Sequence, residues 1–490
     1  MNRINGMVLA LMLMTAAGCV RTPQPVALQE NKGAGSESPM FGGSPSRNMV
    51  NLIDKNIPTT WNVEEKKTEN IKWVAKLGNH AYGGPTIAGG KVYVGTNLKV
   101  EDVYEKAVLM CFNEADGKFL WKIVHEFPDD PTFAMARGHG LCSTPIVEGD
   151  RVYYVAPGAE VICADTDGKV KWTYDMMKEL KVIPFHLSNC SPLIVGDILF
   201  LLTGNGRDEQ FELPSPKAPS FIAVNKKTGK LVWQANLPGE NIVTGQWANP
   251  ALATVNGKPQ VIFPGGDAWL YSFEPETGKL IWKCDCNPAR PKELTRINYF
   301  VSSPVVMGDK LYIGLGYAPD TGSNSPFSYF LCLDITKNGD VSFKTFDAKA
   351  VVNKNSALVW AFGGIVDPPP KGRERKNYFG PTMSTAAVHD GLVYVPEVTG
   401  YFHCLDAKTG ERYWQHDFKE EVWGSAYFVD GNVYVNTSGG EVQVLAPGKK
   451  MKILATNSME ENQLHSTPVV ANGVLYIATR TRLYAIAKGK

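Results

Sequence analysis

Along most of this chain apolar and polar residues alternate in short runs, broken at regular intervals by glycine, asparagine or aspartate. A period of two predicts half-buried strands, and the breaks predict tight turns between them. Two phrases recur. The first is an apolar strand, a glycine-bearing turn and a second apolar strand, at 85–94, 143–155, 192–201, 250–263, 302–314, 386–395, 426–435 and 468–477. The second is a strand, a polar turn and a strand ending in tryptophan, as in Cys404-Leu-Asp-Ala-Lys-Thr-Gly-Glu-Arg-Tyr-Trp414. Asp406 can bond turn amides there, and Gly410 tolerates the left-handed backbone that closes the turn. Copies of this phrase end at Trp121, Trp172, Trp233 and Trp282.

One phrase of each kind makes a four-stranded antiparallel unit, and repetition every 40 to 60 residues or so is the mark of a propeller. The fold class is therefore all-β, and the eight inner hairpins predict an eight-bladed β-propeller. Trp360 closes the fifth blade after an insertion, while the seventh has only Lys452-Ile453-Leu454 at that place. The eighth ends at 483–487 without an outer strand. The segment 70–75, with Trp73, is expected to supply that strand and so remove the ring's open edge.

With 50 basic and 49 acidic residues the net charge is +1, which excludes a strong pull toward nucleic acid. The beginning of the chain reads as a targeting segment. Arg3 precedes an apolar run over 7–14, and Thr15-Ala-Ala-Gly-Cys19 places small residues before a cysteine. The expected layout is a lipoprotein-type signal over 1–18, a flexible tether over 19–39, a lead-in over 40–68 and the propeller over 69–490. Cys19 would carry the lipid, although Ala16 stands where leucine is usual; a plain secretory peptide is the other reading. Val20 after the cysteine favours the outer membrane, facing the periplasm.

Nine cysteines in an exported chain invite a disulfide reading. Cys111, Cys163, Cys332 and Cys404, however, share one place in the third strand of four blades, where a small buried side chain fits. Cys284 and Cys286 are too close in sequence for an unstrained bridge. Cys142 and Cys190 open adjacent inner strands, as shielded thiols or as a pair.

The repeated Asp-x-x-Thr-Gly-Lys-x-x-Trp hairpin resembles the repeat of pyrroloquinoline quinone (PQQ) propellers over about residues 60 to 487. That superfamily includes quinoprotein alcohol dehydrogenases and the outer-membrane assembly lipoprotein of the BAM complex. Met40-Phe-Gly-Gly-Ser-Pro-Ser-Arg-Asn48 and the phrase from Thr382 to Gly391 resemble uncharacterised bacterial PQQ-repeat propeller proteins. The resemblance implies a binding or scaffold protein at the envelope, a monomer with a protein partner or small ligand. Its alternative is a PQQ-dependent dehydrogenase acting on a periplasmic alcohol or related substrate. The dehydrogenases hold PQQ against a tryptophan and a disulfide of adjacent cysteines, with calcium on Glu, Asn and Asp. No Cys-Cys pair and no Cys-x-x-Cys-His haem site occurs in this chain. The sequence places no catalytic or metal-ligating residue, so PQQ with calcium stays an implication of the likeness and enzyme activity leans toward no.

Residues just before each inner strand should surround the mouth of the central funnel. They are His80 and Tyr82, Arg137 and His139, His186 and Asn189, Trp247 and Asn249, Asn298 and Tyr299, Trp423, and His465. Histidine suits proton transfer or ligand contact and the aromatics offer stacking faces. A wet polar funnel without a ligand is the bland alternative. The passage from Asp367-Pro-Pro-Pro370 through Lys371, Arg373, Arg375 and Lys376 is a stiff basic loop. It is either a solvated insertion or a contact for acidic headgroups or a partner.

Overall fold

The computed structural model describes residues 36–100, 104–129, 133, 136–287, 298–316, 328–343, 353–364, 375 and 377–489. Cys19 and most of the 367–376 loop lie outside these residues. The strands fall into eight sheets, six of four strands and two of five, arranged as the blades of a propeller. Blade one is built from Thr86–Ala88, Lys91–Val100, Tyr104–Asn113 and Phe119–His125, in order from the axis outward. Blades two to seven repeat this plan over 146–175, 193–235, 251–285, 305–363, 387–417 and 427–458.

The eighth blade closes the ring. Ile71–Lys76 pairs antiparallel with Arg482–Ile486, and Trp73 faces Ala485. The first and last parts of the propeller thus share one sheet, and the edge the sequence left open is paired.

One side-chain row explains the repeat. In each tryptophan-bearing blade the fourth-strand tryptophan stands opposite a small third-strand residue: Cys111, Cys163, Ala223, Ser272, Cys332, Cys404 or Ala485. The four cysteines are therefore packing residues, and all eight described cysteines are free thiols. Six of these indoles donate to a carbonyl in the outer turn of the next blade. Trp73 reaches Glu114 (2.9 Å), Trp121 Thr166 (3.0 Å) and Trp172 Lys226 (3.2 Å). Trp233 reaches Pro275 (2.8 Å), Trp360 Ala407 (3.1 Å) and Trp414 Gly448 (2.9 Å). In five cases the ring covers the turn glycine so closely that a Cβ would come within 2.5 to 2.8 Å of it.

The exceptions have causes. Trp282 donates to Gln260 (2.6 Å), whose amide donates to Ile335 (3.4 Å), the equivalent carbonyl reached through a relay. Gly339–Asp340 adds a parallel fifth strand beside Trp282. Blade seven carries Ala455 in the tryptophan register because blade eight takes its fourth strand from the other end of the chain and has no outer turn to receive an indole. Trp61 fills this seam instead. It is buried, its amide donates to Asn457 Oδ1 (3.0 Å) and its indole to Met459 Sδ (3.2 Å).

Residues 36–54 do more than lead in. Ser38 pairs with Ile87 of blade one, and Pro39 accepts from Val147 of blade two. Pro45 and Ser46 accept from Leu252 and Val306 of blades four and five. Asn48 bonds Val388 of blade six, and Val50–Asn51 pairs parallel with Tyr427–Val429 of blade seven. Arg47, wholly buried, donates to Ser191 and Pro192 of blade three and to Pro250 of blade four. Asn472 of blade eight donates to Ser36. The segment circles the axis and touches every blade, so binding to the ring begins at Ser36, inside the stretch expected as tether. Between it and the inner strands is a cavity of about 10 Å³, lined in part by Phe41, Met49, Pro85 and Tyr427, room for about one water.

Candidate functional site

The circling segment sits at the end of the inner strands that carries the hairpin turns, where Glu37 and Asp54 accept from Gly89 and Gly473. The funnel loops enter the inner strands at the opposite end. From blade two to blade eight, each blade hands on to the next there through buried Ser, Thr or Asn side chains. The amide of Thr144 donates to Ser191 Oγ (3.0 Å), that of Ser191 to Asn249 Oδ1 (2.6 Å), and Asn249 Nδ2 to Ser303 Oγ (2.9 Å). The belt continues from Ser303 to Thr385, Ser425 and Thr467. Asn249, expected among the ligand contacts, is committed to this belt. The Ser-Thr-Pro, Ser-Ser-Pro and Asn-Pro phrases of the sequence are its signature.

Above the belt the ring-bearing candidates gather in two groups. Tyr82 lies 5.9 Å from His80, 5.0 Å from His139, 4.9 Å from His465 and 6.1 Å from Trp423, centroid to centroid. Trp423 and His465 stack at 4.6 Å. A second group joins His186 to Phe185 (3.9 Å) and Trp247 (6.4 Å, 5° between planes), and Trp247 to buried Tyr299 (6.0 Å). His139 stands between the groups, close enough to act electrostatically on His80, His186 and His465. Asn189 is half-buried, and its Oδ1 is buried without a bond. Asn298 is buried. Arg137 donates to Pro128 (3.5 Å).

His80, His186 and His465 resist a proton. Burial, reinforced by His80 and His139, lowers His465 to about 4. His80 is lowered by burial and by Arg480 and His139. His186 is lowered by burial, although Glu209 Oε1 at 3.3 Å from Nδ1 pulls the other way. Burial also pushes the Cys142 thiol, which donates to the His139 carbonyl (3.8 Å), up to about 12. It is not a ready nucleophile.

Sequence reasoning missed a second polar group, in blade six. Glu397 and His403 are fully buried; His403 Nε2 lies 2.6 Å from Glu397 Oε1, and Arg375 Nη2 lies 2.6 Å from both carboxylate oxygens. Burial alone would raise Glu397, but the bond with His403 and the charge of Arg375 outweigh it and hold the carboxyl below its usual range. Arg375 stacks on Tyr401 (4.1 Å). Of the four basic residues in the expected contact loop, Arg375 is thus spent on the propeller itself.

The likeness to quinoproteins raises the question of calcium and a quinone. Among the described residues no three His, Cys, Asp or Glu side chains come together to hold a metal ion. The described mouth places Glu209 beside His186 and Glu421 on the Trp423 indole (2.8 Å), and Arg480 donates to the Asn79 carbonyl (3.2 Å). This set does not fit an anionic quinone with its metal.

Fold and repeat define a PQQ-type β-propeller with a ring-lined funnel. The sequence matches the family described as outer membrane protein assembly factor BamB over residues 105–339 and 344–488, and the chain belongs to that family. It is 27% identical over 165 residues to the uncharacterized protein RC0314 of Rickettsia conorii, covering 32% of this chain and 34% of that one. It is 22% identical over 432 residues to the quinoprotein alcohol dehydrogenase PedH of Pseudomonas putida, covering 76% of this chain and 66% of the enzyme. The chain therefore spans less than two thirds of either relative. The crystal structure of BamB from Moraxella catarrhalis superposes with a TM-score of 0.52 at 12% identity, over 84% of this chain and 96% of that one.

Proposed function

We propose that this chain is an exported, lipid-anchored propeller that works as a binding or scaffold protein in the outer envelope, with an envelope protein as partner. The observation that carries this reading is the family match, which runs through blades two to seven and parts of blades one and eight and names an outer-membrane assembly factor. The export signal and Cys19 support it from the sequence. Partner contact is assigned to peripheral loops, Lys371 to Lys376 first among them, and a small ligand to the funnel mouth.

Two measurements test the reading. Cys19→Ser should abolish acyl labelling and release the protein from membranes; a variant that still pellets after a high-salt wash would refute the anchor. Salt matters because a basic loop alone gives a weak, screened attachment. Cross-linking in intact cells should capture an envelope protein from wild type and less of it after Lys371→Glu with Arg373→Glu. Equal capture by both would remove the loop from the interface. The likeness to PedH favours a second reading, a PQQ-dependent dehydrogenase. Dye-linked alcohol oxidation after addition of PQQ and calcium would establish it.

A further inference from the structure

Seven of the eight loops that enter inner strands bring a ring to the funnel mouth: those carrying Tyr82, His139, His186, Trp247, Tyr299, Trp423 and His465. Contact runs from Trp423 through His465 and Tyr82 to His139, then resumes from His186 through Trp247 to Tyr299. The result is an arc. His186 and Trp247 come from the loops before blades three and four, Trp423 and His465 from those before blades seven and eight. Four blades separate the pairs, so two indole–imidazole pairs face each other across the axis. All four side chains are half-buried and leave part of each ring open.

Charge narrows what such an arc can hold. Each pair carries its own carboxylate, Glu209 at His186 and Glu421 at the Trp423 indole. An anion placed between the pairs meets both. A cation meets Arg137 and Arg480 at the described mouth, and burial, which is the main reason His80 and His465 stay neutral, leaves added positive charge poorly solvated. What remains is an uncharged ligand with apolar faces and edges that both donate and accept. Neutral imidazole offers one donor and one acceptor, the complement of a hydroxyl, and the negative face of an indole suits the C–H face of a sugar ring.

We propose that the funnel mouth binds an uncharged oligosaccharide, its sugar rings laid against the open parts of Trp247 and Trp423. This site is separate from the peripheral partner surface and does not depend on it. The test is a glycan array of neutral, uronic-acid and free-amine oligosaccharides, probed with the purified chain. Neutral chains should bind, and Trp247→Ala and Trp423→Ala should each weaken them about tenfold, equivalent to about 1.4 kcal/mol. Trp247→Phe and Trp423→Phe, which keep a ring, should retain most of the binding and guard against unfolding as the cause. No binding to any class, preference for acidic or amine-bearing chains, or unchanged binding in both alanine variants would overturn the proposal. Cross-linking to the envelope partner should survive these substitutions, so loss of the glycan site and loss of the scaffold reading would be told apart.

Discussion

Ser36 donates its hydroxyl to the carboxylate of Asp54, so the chain leaves its circuit of the eight blades at the point where it began. Asp54 also accepts from Asn51 (2.7 Å) and from the amide of Gly473 (2.6 Å), which fixes the junction on blade eight. The segment is a hoop clasped by one side-chain pair, and Arg47 is its innermost cation. Burial lowers the Arg47 guanidinium to about 10, still charged at neutral pH, with carbonyls of Phe41, Ser191, Pro192 and Pro250 around it.

Arg47→Met should therefore destabilise the propeller by about 3 kcal/mol or more, because several buried carbonyls lose a charged donor at once. A denaturant melt would show a lower midpoint. A variant as stable as wild type would mean that the hoop is dispensable.

Gly168 and Gly149 separate ring docking from simple turn strain. Both have positive φ, 86° and 59°, but a Cβ at Gly168 would stand 2.6 Å from the Trp121 ring, whereas nothing lies within 4 Å at Gly149. Gly149→Ala should cost about 1 kcal/mol, the strain of a left-handed alanine. Gly168→Ala should cost about 2 kcal/mol more, since the indole must move off its carbonyl. Thermal melts of the two variants make the comparison.

Acid should weaken the fold through its histidines. His465 and His125 are both lowered to about 4, the first by burial and neighbouring histidines, the second by burial. The unfolded chain takes up protons below about pH 6.5 while the folded chain holds out to about 4. Stability is thus fully present above pH 6.5 and declines as pH falls toward 4. His125→Gln or His465→Gln should each flatten that decline by about 2 kcal/mol. Melting temperatures measured from pH 7 to pH 4.5 would follow it.

Much of this architecture is legible in the sequence because the blade is a local repeat. The inner hairpins, the Asp-to-Gly turns and the tryptophans recur with fixed spacing, and the closing strand stands one residue from its expected start. The cysteine reading also survives: Cys111, Cys163, Cys332 and Cys404 each face a tryptophan. What stayed hidden is non-local. The hoop at 36–54 makes one to a few bonds with each blade, at uneven spacing, so it has no periodicity to read. The Gln260 relay beneath Trp282 looks like any strand glutamine. Glu397 and His403 sit in an ordinary hairpin, and nothing in the sequence ties them to Arg375, 22 residues before Glu397 in the loop that leads into the same blade. The funnel residues could be placed by their position before each inner strand, but Asn249 looked the same as its neighbours until its side chain was found in the belt.

Removing the buried cluster gives one more expectation. Glu397→Gln leaves Arg375 without its counter-charge and should destabilise blade six by about 3 kcal/mol or more. Exposure of amides in Tyr401–Asp406 to hydrogen exchange would report it, and protection equal to wild type would count against a structural role for the pair.

The hoop also sets an order of events during synthesis. Residues 36–54 leave the ribosome before any blade exists, yet their partners lie at Ile87, Val147, Ser191, Leu252, Val306, Val388, Phe428 and Asn472. The earliest part of the propeller to be made is therefore the last to be fixed. It must wait, uncommitted, until the final hairpin has been translated, and a chain cut short before Asn472 leaves its clasp without the blade-eight amides that anchor it.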